Sequence, residues 1–217
     1  VNIPLVKAIG WSADFQLTTD PNQDECPAIM QAGDGAIWVV WSSFRTGNYE
    51  LFYKTSSNYG LNWSNDTRLT YSSAFDEAPS IAQARNGTIW VVWQSGDIPD
   101  IYYKIYDGLT WSSDTQLTDN NFIDAASSIA QISDRKIWVV WATEREDGFD
   151  IYYKTTVAIP GDVNGDGTVD MYDLAMIEEA YGTVRGDPDY NPYADLNCDG
   201  VVDVYDLAEC GKNYGQN

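Results

Sequence analysis

Apolar residues fall along most of this chain in short dense runs separated by polar turns, and three of those runs are near copies. Ile37-Trp-Val-Val-Trp41 returns as Ile89-Trp-Val-Val-Trp93 and as Ile137-Trp-Val-Val-Trp141. Ile37, Val39 and Trp41 point to one side of such a strand and Trp38 and Val40 to the other, yet all are apolar. A strand with no polar face must be covered on both sides. Each copy is followed by a second run (Leu51-Phe-Tyr-Lys54, Ile101-Tyr-Tyr-Lys104, Ile151-Tyr-Tyr-Lys154) and preceded by a third (Pro27-Ala-Ile29, Pro79-Ser-Ile-Ala82, Ser127-Ser-Ile-Ala130). A fourth element occurs as Trp11 to Thr18, Trp63 to Thr70 and Trp111 to Thr118. Repeats of this length, rich in Trp, Tyr, Val and Ile, predict a mainly β fold: a propeller-like array of three four-stranded blades.

The order of elements carries an anomaly. The third unit runs from Lys154 into the linker Val157-Ala-Ile-Pro160 with no fourth strand, whereas the unmatched fourth element, Trp11 to Thr18, stands at the front. Rings of blades contain roughly four to eight, so three units predict self-association with other copies of the chain, as a dimeric ring or as a filament. Residues 1–10, apolar and containing Pro4, are read as a leading arm.

Beyond residue 158 the periodicity changes. Leu174, Ile177 and Tyr181, then Leu207, Cys210 and Tyr214, recur at helical spacing and predict two short helices with one apolar stripe each. Each follows the same twelve-residue acidic loop, Asp162 to Asp173 and Asp195 to Asp206. Asp162, Asn164, Asp166, Asp170 and Asp173, and their partners Asp195, Asn197, Asp199, Asp203 and Asp206, place side-chain oxygens at loop positions 1, 3, 5, 9 and 12. Glycine stands at position 6, and Thr168 or Val201 offers a backbone carbonyl at position 7. That pattern wraps oxygens around a large hard cation and predicts two Ca2+ ions in EF-hand-type loops. The domains are then 1–158 and 159–217.

Two loop–helix units, each closed by aspartate, resemble a type I dockerin domain over about Gly161 to Gly215. The resemblance implies an extracellular calcium-dependent module that binds a cohesin-like domain. In that family the residues at loop positions 10 and 11 help choose the partner. Here they are Met171-Tyr172 and Val204-Tyr205, two near-equivalent pairs where the family carries small hydroxyl residues. They either grip a partner in one of two orientations or finish the small core.

Ser57-Asn-Tyr-Gly-Leu-Asn-Trp63 resembles the Asp-box turn of sialidase-type propellers, with Asn58 where aspartate is usual. Arg45, Arg68, Arg85, Arg135 and Arg145 do not recur at matching blade positions, and the chain has no histidine. Glu50, Asp100 and Asp150 recur ahead of Lys54, Lys104 and Lys154 and are read as structural charge pairs. No enzyme is expected on these grounds. The repeat tryptophans are expected in the core, with Trp63 and Trp111 as the better candidates for stacking on a glycan.

Charge sharpens the picture. The formal net charge of −21 argues against nucleic acid and anionic membranes, and from Gly161 onward there are 13 acids and 2 bases. No apolar run is long enough to cross a membrane. The start at Val1 suggests a processed product, and Asn62, Asn65 and Asn86 head glycosylation triplets if it is exported. Of the three cysteines, Cys26 is expected as a small core residue, while Cys198 and Cys210 either bridge or leave a buried thiol. The reading that results is a secreted or cell-surface, non-catalytic assembly protein. A lectin-like module and a glycoside hydrolase on a cohesin scaffold are the alternatives.

Overall fold

The computed structural model describes residues 10–132, 136–145, 148–157 and 159–216. The leading arm lies outside the described residues except for Gly10, and so does Arg135. Among the described residues, eleven strands form three antiparallel sheets. The first holds β1 (Asp24–Gln31), β2 (Ile37–Ser43), β3 (Glu50–Ser56) and β4 (Thr67–Arg68) in sequence order. The second repeats it with β5 (Asp76–Gln83), β6 (Ile89–Ser95), β7 (Asp100–Tyr106) and β8 (Thr115–Gln116). The third has β9 (Ile123–Gln131), β10 (Ile137–Arg145) and β11 (Gly148–Thr155). The expectation of three four-stranded sheets is therefore corrected to four, four and three. Residues 11–18 form no strand, because among the described residues no strand of the β3 type lies beside them to pair with.

The Ile-Trp-Val-Val-Trp runs are the central strands β2, β6 and β10, and their register repeats: Val40 faces Tyr53, Val92 faces Tyr103 and Val140 faces Tyr153. Both faces are covered as expected. Val40 and Leu51 of the first blade pack on Val91 and Trp93 of the second. Val92 and Ile101 of the second pack on Val139 and Trp141 of the third. Burying a side chain of this size stabilises by roughly 1.5–3 kcal/mol, so the blades cohere through these faces. The first strands β1, β5 and β9 lie side by side along the array.

A recurrent bond ties each outer element to the next blade. Lys104 Nζ donates to the Leu69 carbonyl (3.0 Å), Lys154 Nζ to that of Leu117 (2.5 Å), and Lys54 Nζ to that of Leu17 (2.9 Å). The charge pairs expected between Glu50 and Lys54, and between Asp100 and Lys104, are not formed. Four residues along a strand span about 13 Å, too far for contact. Glu50 instead binds Arg68 (2.7 Å), while Lys54 and Lys104 bind Asp66 (2.6 Å) and Asp114 (2.7 Å) across the sheet.

Cys26 is not a core residue. It is exposed, with φ 51°, at a bulge that recurs at Ala78 (φ 51°) and Ala126 (φ 53°). Small residues match there because the backbone is left-handed, a conformation that penalises branched side chains. All three cysteines are free, Cys210 buried and Cys198 exposed, so the bridge does not form.

Candidate calcium and docking site

Residues 159–216 fold around two helices, α1 (Met171–Glu179) and α2 (Val204–Lys212). Each begins inside its acidic loop. Asp170 and Asp203 are the N-caps, and Asp173 and Asp206 complete capping boxes, an arrangement that satisfies otherwise orphaned helix donors. The last loop residue thus serves the helix and the loop at once.

The two units clasp each other. Val169 exchanges backbone hydrogen bonds with the segment after α2 (Gly215 N to Val169 O, 2.7 Å; Val169 N to Gln216 O, 2.9 Å). Val202, its counterpart 33 residues on, does the same with the segment after α1 (Gly182 N to Val202 O, 2.8 Å; Val202 N to Thr183 O, 3.0 Å). Val163, Val169, Ile177, Ala180, Ala194, Val202 and Cys210 form the core between them. Tyr181 and Tyr214, expected on the apolar stripes, are about half exposed instead (50% and 54%), since both lie past the helix ends.

Within the loops the carboxylates are gathered by backbone donors. Asp162 accepts from Gly165 N (2.7 Å), Asp166 N (3.1 Å) and Gly167 N (3.0 Å). Asp173 accepts from Val163 N (2.6 Å), Asn164 N (2.9 Å) and Asp170 N (2.8 Å). Asp206 repeats this with Leu196 N (2.7 Å), Asn197 N (3.2 Å) and Asp203 N (2.8 Å), and Asp195 with Asp199 N (3.1 Å) and Gly200 N (2.9 Å). Asn164 and Asn197 reach Asp166 and Asp199 through their amides (2.9 and 3.0 Å). The backbone N–H groups of Thr168 and Val201 also bind these two carboxylates.

Asp173, Asp195 and Asp206 are buried. Burial, followed by the like charges of Asp173 and Asp166, raises the Asp162 carboxyl above its usual range despite the N–H bonds. Among the described residues no three acidic or cysteine side chains already stand round one metal-holding point. The donor set nonetheless fits a hard cation. It is all oxygen, it is concentrated in two twelve-residue loops, and its partly buried carboxylates repel one another. Arg185 lies 3.7 Å from Asp195 and is itself mostly exposed.

The paired residues that open each helix do not finish the core. Met171 and Tyr172 are 65% and 66% exposed, and Val204 and Tyr205 are 56% and 68% exposed. Four apolar side chains therefore stand in water as two matching patches, the kind of surface that marks an interaction site. On the sheet side, Asn86 Nδ2 donates to the carbonyl of Gly165 (2.5 Å) and the Arg85 guanidinium lies 4.1 Å over the Tyr193 ring. The glycosylation nitrogen of Asn86 is thus engaged with the first acidic loop, whereas Asn62 and Asn65 are exposed.

Trp111 is no open platform, since it packs against Trp38, Tyr53 and Tyr106. Trp63 is half-buried beside Val39 and Trp41. Asn58 stabilises its own turn, accepting from Ser56 Oγ (3.0 Å) and Asn62 N (2.9 Å). A cluster that the repeat pattern did not single out lies at the start of the inner strands. The Glu25 carboxylate facing the Tyr49 hydroxyl, with burial and the charges of Glu25 and Glu77, pushes the Tyr49 pKa up to about 12. The signal was present, since Asp24-Glu25 and Asp76-Glu77 are paired carboxylates at matching positions.

Among curated proteins nothing matches this chain. Solved structures similar to it include a protein of unknown function from Dyadobacter fermentans (TM-score 0.51, 10% identity, 64% of this chain and 52% of that one). An endo-arabinase from Bacteroides thetaiotaomicron is similar as well (TM-score 0.52, 10% identity, 67% and 60%). This chain therefore spans between half and three-fifths of the length of these structures. At such identity the likeness is one of fold, and that fold carries glycoside hydrolysis in the arabinase. The expectation that no enzyme is present is corrected accordingly: missing histidine and scattered arginines do not rule out glycosidase chemistry on an architecture shared with the arabinase. For the acidic module the match is one of sequence. Residues 160–212 match the family model of the dockerin type I domain, a kind of domain that binds calcium and takes cohesin domains as partners.

Proposed function

We propose that this chain is an exported component of a cellulosome-like assembly, a carbohydrate-active β body delivered to a cohesin-bearing scaffold by its terminal module. The observation that carries the reading is the pair of matching exposed patches, Met171-Tyr172 and Val204-Tyr205, each fixed at the start of a helix by its own acidic loop. Two calcium ions, one per loop, are held by Asp162, Asn164, Asp166, Asp170 and Asp173 and by Asp195, Asn197, Asp199, Asp203 and Asp206. Thr168 and Val201 contribute carbonyls. Calcium supplies the charge that lets these carboxylates share one loop. The loops then hold the helix starts, and with them the docking patches, in place. The near-symmetry of the two units lets a cohesin engage either patch. Asn62 and Asn65 are the glycosylation acceptors that remain open.

For the body, hydrolysis of a polymeric glycan is the activity we assign. Two carboxyl groups are the usual requirement, one to protonate the leaving oxygen and one to act as base or nucleophile. We assign these roles to Glu25 and Glu77, half-buried at matching positions of the neighbouring strands β1 and β5. The chain should be retained on a type I cohesin resin in calcium and released by chelator. It should also liberate reducing ends from arabinan or another plant glycan, with Glu25→Gln and Glu77→Gln each losing that activity. Retention without hydrolysis of any glycan in a broad panel would refute the catalytic half.

A further inference from the structure

The arginine just past the first central strand is boxed in by its own blade. Arg45 donates from Nε to Ser43 Oγ (2.8 Å), from Nη1 to Asp66 Oδ2 (2.8 Å) and from Nη2 to both oxygens of Asp24 (3.1 and 3.2 Å). Its guanidinium carbon lies 4.3 Å over the Phe52 ring and 5.8 Å from that of Trp41. Arg145 holds the same place in the third blade. It follows the isoleucine that opens β10 by eight residues, as Arg45 follows that of β2, and it lies 4.0 Å over the Tyr152 ring. The expectation that the arginines do not recur is thus corrected for this pair. In the second blade the position is Asp97, which is exposed, and the connection between strands is shorter (residues 96–99 against 44–49).

The box itself is kept in the second blade. A cavity of about 160 Å³ there is lined by Asp76, Trp93, Ser95, Tyr102 and Asp114. Strand register makes each of them the counterpart of a neighbour of Arg45. Asp76 pairs with Ser95 as Asp24 does with Ser43, and Trp93 with Tyr102 as Trp41 does with Phe52. Asp114 stands two residues before Gln116 of β8, as Asp66 stands before Arg68 of β4. Its Oδ1 binds Lys104 (2.7 Å) as Asp66 Oδ1 binds Lys54 (2.6 Å), so Asp114 Oδ2 is the oxygen that answers to the one on Arg45.

Asp76 carries the signature of a site built for a cation. It is 1% exposed and its Oδ1 accepts from Trp93 Nε1 (3.1 Å). Its Oδ2 is buried with no hydrogen-bond partner among the described residues, although the hydroxyls of Ser95 and Thr70 stand nearby. Buried polar atoms are nearly always paired, and a carboxylate oxygen left unpaired is costly. In the first blade the relation is reversed: Arg45 takes both oxygens of Asp24, and Trp41 Nε1 is the buried atom without a partner. The second blade also has an excess of negative charge at this point. Burial, with the charges of Asp100, Asp76, Asp119 and Asp114, raises the Tyr102 hydroxyl above its usual range.

We propose that this cavity is a binding site for an alkylguanidinium group, the end of an arginine side chain or of a free guanidino compound. The group lies over the Tyr102 ring and forks to Asp76 and to Asp114 Oδ2, as Arg45 does within the first blade. A guanidinium suits the box better than an ammonium because it is planar, stacks on an aromatic face and presents its donors as a fork. The site lies wholly within the second blade, so it depends on neither the docking module nor the hydrolytic reading.

Calorimetric titration of the full chain in calcium, at constant ionic strength, tests the proposal. The probes are methylguanidine and N-acetylarginine amide, with methylammonium as comparator. One methylguanidine should bind per chain, several-fold more tightly than methylammonium. Asp76→Asn and Asp114→Asn should each weaken it by about tenfold or more, the loss that follows when one partner of a buried charge pair is removed, with the fold retained by circular dichroism. Arg45→Ala opens the equivalent space in the first blade and should add a second site of the same preference. Binding of the amide as well extends the site to an arginine borne by a chain, whereas binding of methylguanidine alone assigns it to free guanidino compounds; either upholds the proposal. Absence of guanidinium binding overturns it, as does binding that methylammonium equals or that both aspartate substitutions leave unchanged.

Discussion

Gly161→Ala should loosen the docking module far more than a glycine substitution of the same backbone type a few turns away. Gly161 has φ +98°, and a Cβ there would meet Cys210 Cα and Val169 Cγ1 at 3.1 Å each and Cys210 O at 3.5 Å. Neither neighbour can recede: Cys210 is a fully buried residue of α2, and Val169 is held by its bonds to residues 215 and 216. Left-handed backbone with a side chain costs about 1–2 kcal/mol, and overpacking a closed core costs about 1–3 kcal/mol more. Gly182 supplies the control, since it has φ +83° and nothing within 4 Å of the added Cβ. Only the first cost applies there. For a unit of this size each kcal/mol moves the melting midpoint by roughly 4–8 °C. Gly161→Ala should therefore lower it by on the order of 10–30 °C, about twice the effect of Gly182→Ala or more. Tyrosine near-ultraviolet circular dichroism in saturating calcium reports on the module through its six tyrosines. Equal shifts for the two variants would refute the clasp as the source of the module's stability.

Chelator should unfold the module and leave the sheets folded, because 13 acids against 2 bases lose their counter-ions while the blades bury apolar faces without metal. All nine tryptophans precede Gly161, so a large tryptophan emission shift on chelation would contradict this separation. Asp76→Asn should match or exceed the parent melting temperature at pH 7. Burial raises the Asp76 pKa, so its contribution to stability is present in full below the unfolded value of 3.8 and is lost as pH rises through the folded one. The advantage of Asn should vanish in acid, and a deficit at pH 7 that persists there would contradict the sign. Leu51→Ala, at a fully buried site between two blades, should cost about 2–5 kcal/mol in denaturant melts, and a loss below 1 kcal/mol would deny that the interblade face is packed.

Repetition made much of this legible from sequence. The central strands, their two-sided burial and the register of the blades follow from Ile-Trp-Val-Val-Trp and its partners, because identical neighbours impose identical solutions. The acidic loops were legible for a different reason, since oxygen spacing and a position-6 glycine are requirements of the ligand geometry rather than of the fold. Pairing across the sheet was not legible. Glu50 and Lys54 are near in sequence and recur together, yet each takes a partner from the outer strand. Cys26 was misplaced because a small residue suits a core position and a left-handed bulge equally well. The exclusion of an enzyme rested on residue types tied to one chemistry, whereas the paired carboxylates Asp24-Glu25 and Asp76-Glu77 were in view and matched in register. The exposure of Met171, Tyr172, Val204 and Tyr205 needed the helix positions, since apolar pairs beside a small core read equally as core or as contact.

The most direct test of the account is calorimetric titration of the full chain with a type I cohesin domain in calcium. One cohesin should bind per chain. Tyr172→Ala or Tyr205→Ala alone should change affinity little, because the other patch takes over, and the double substitution should abolish binding. Chelator should abolish it as well. Absence of cohesin binding in calcium, or undiminished binding by the double variant, would contradict the assignment of this module as a two-faced calcium-dependent dock.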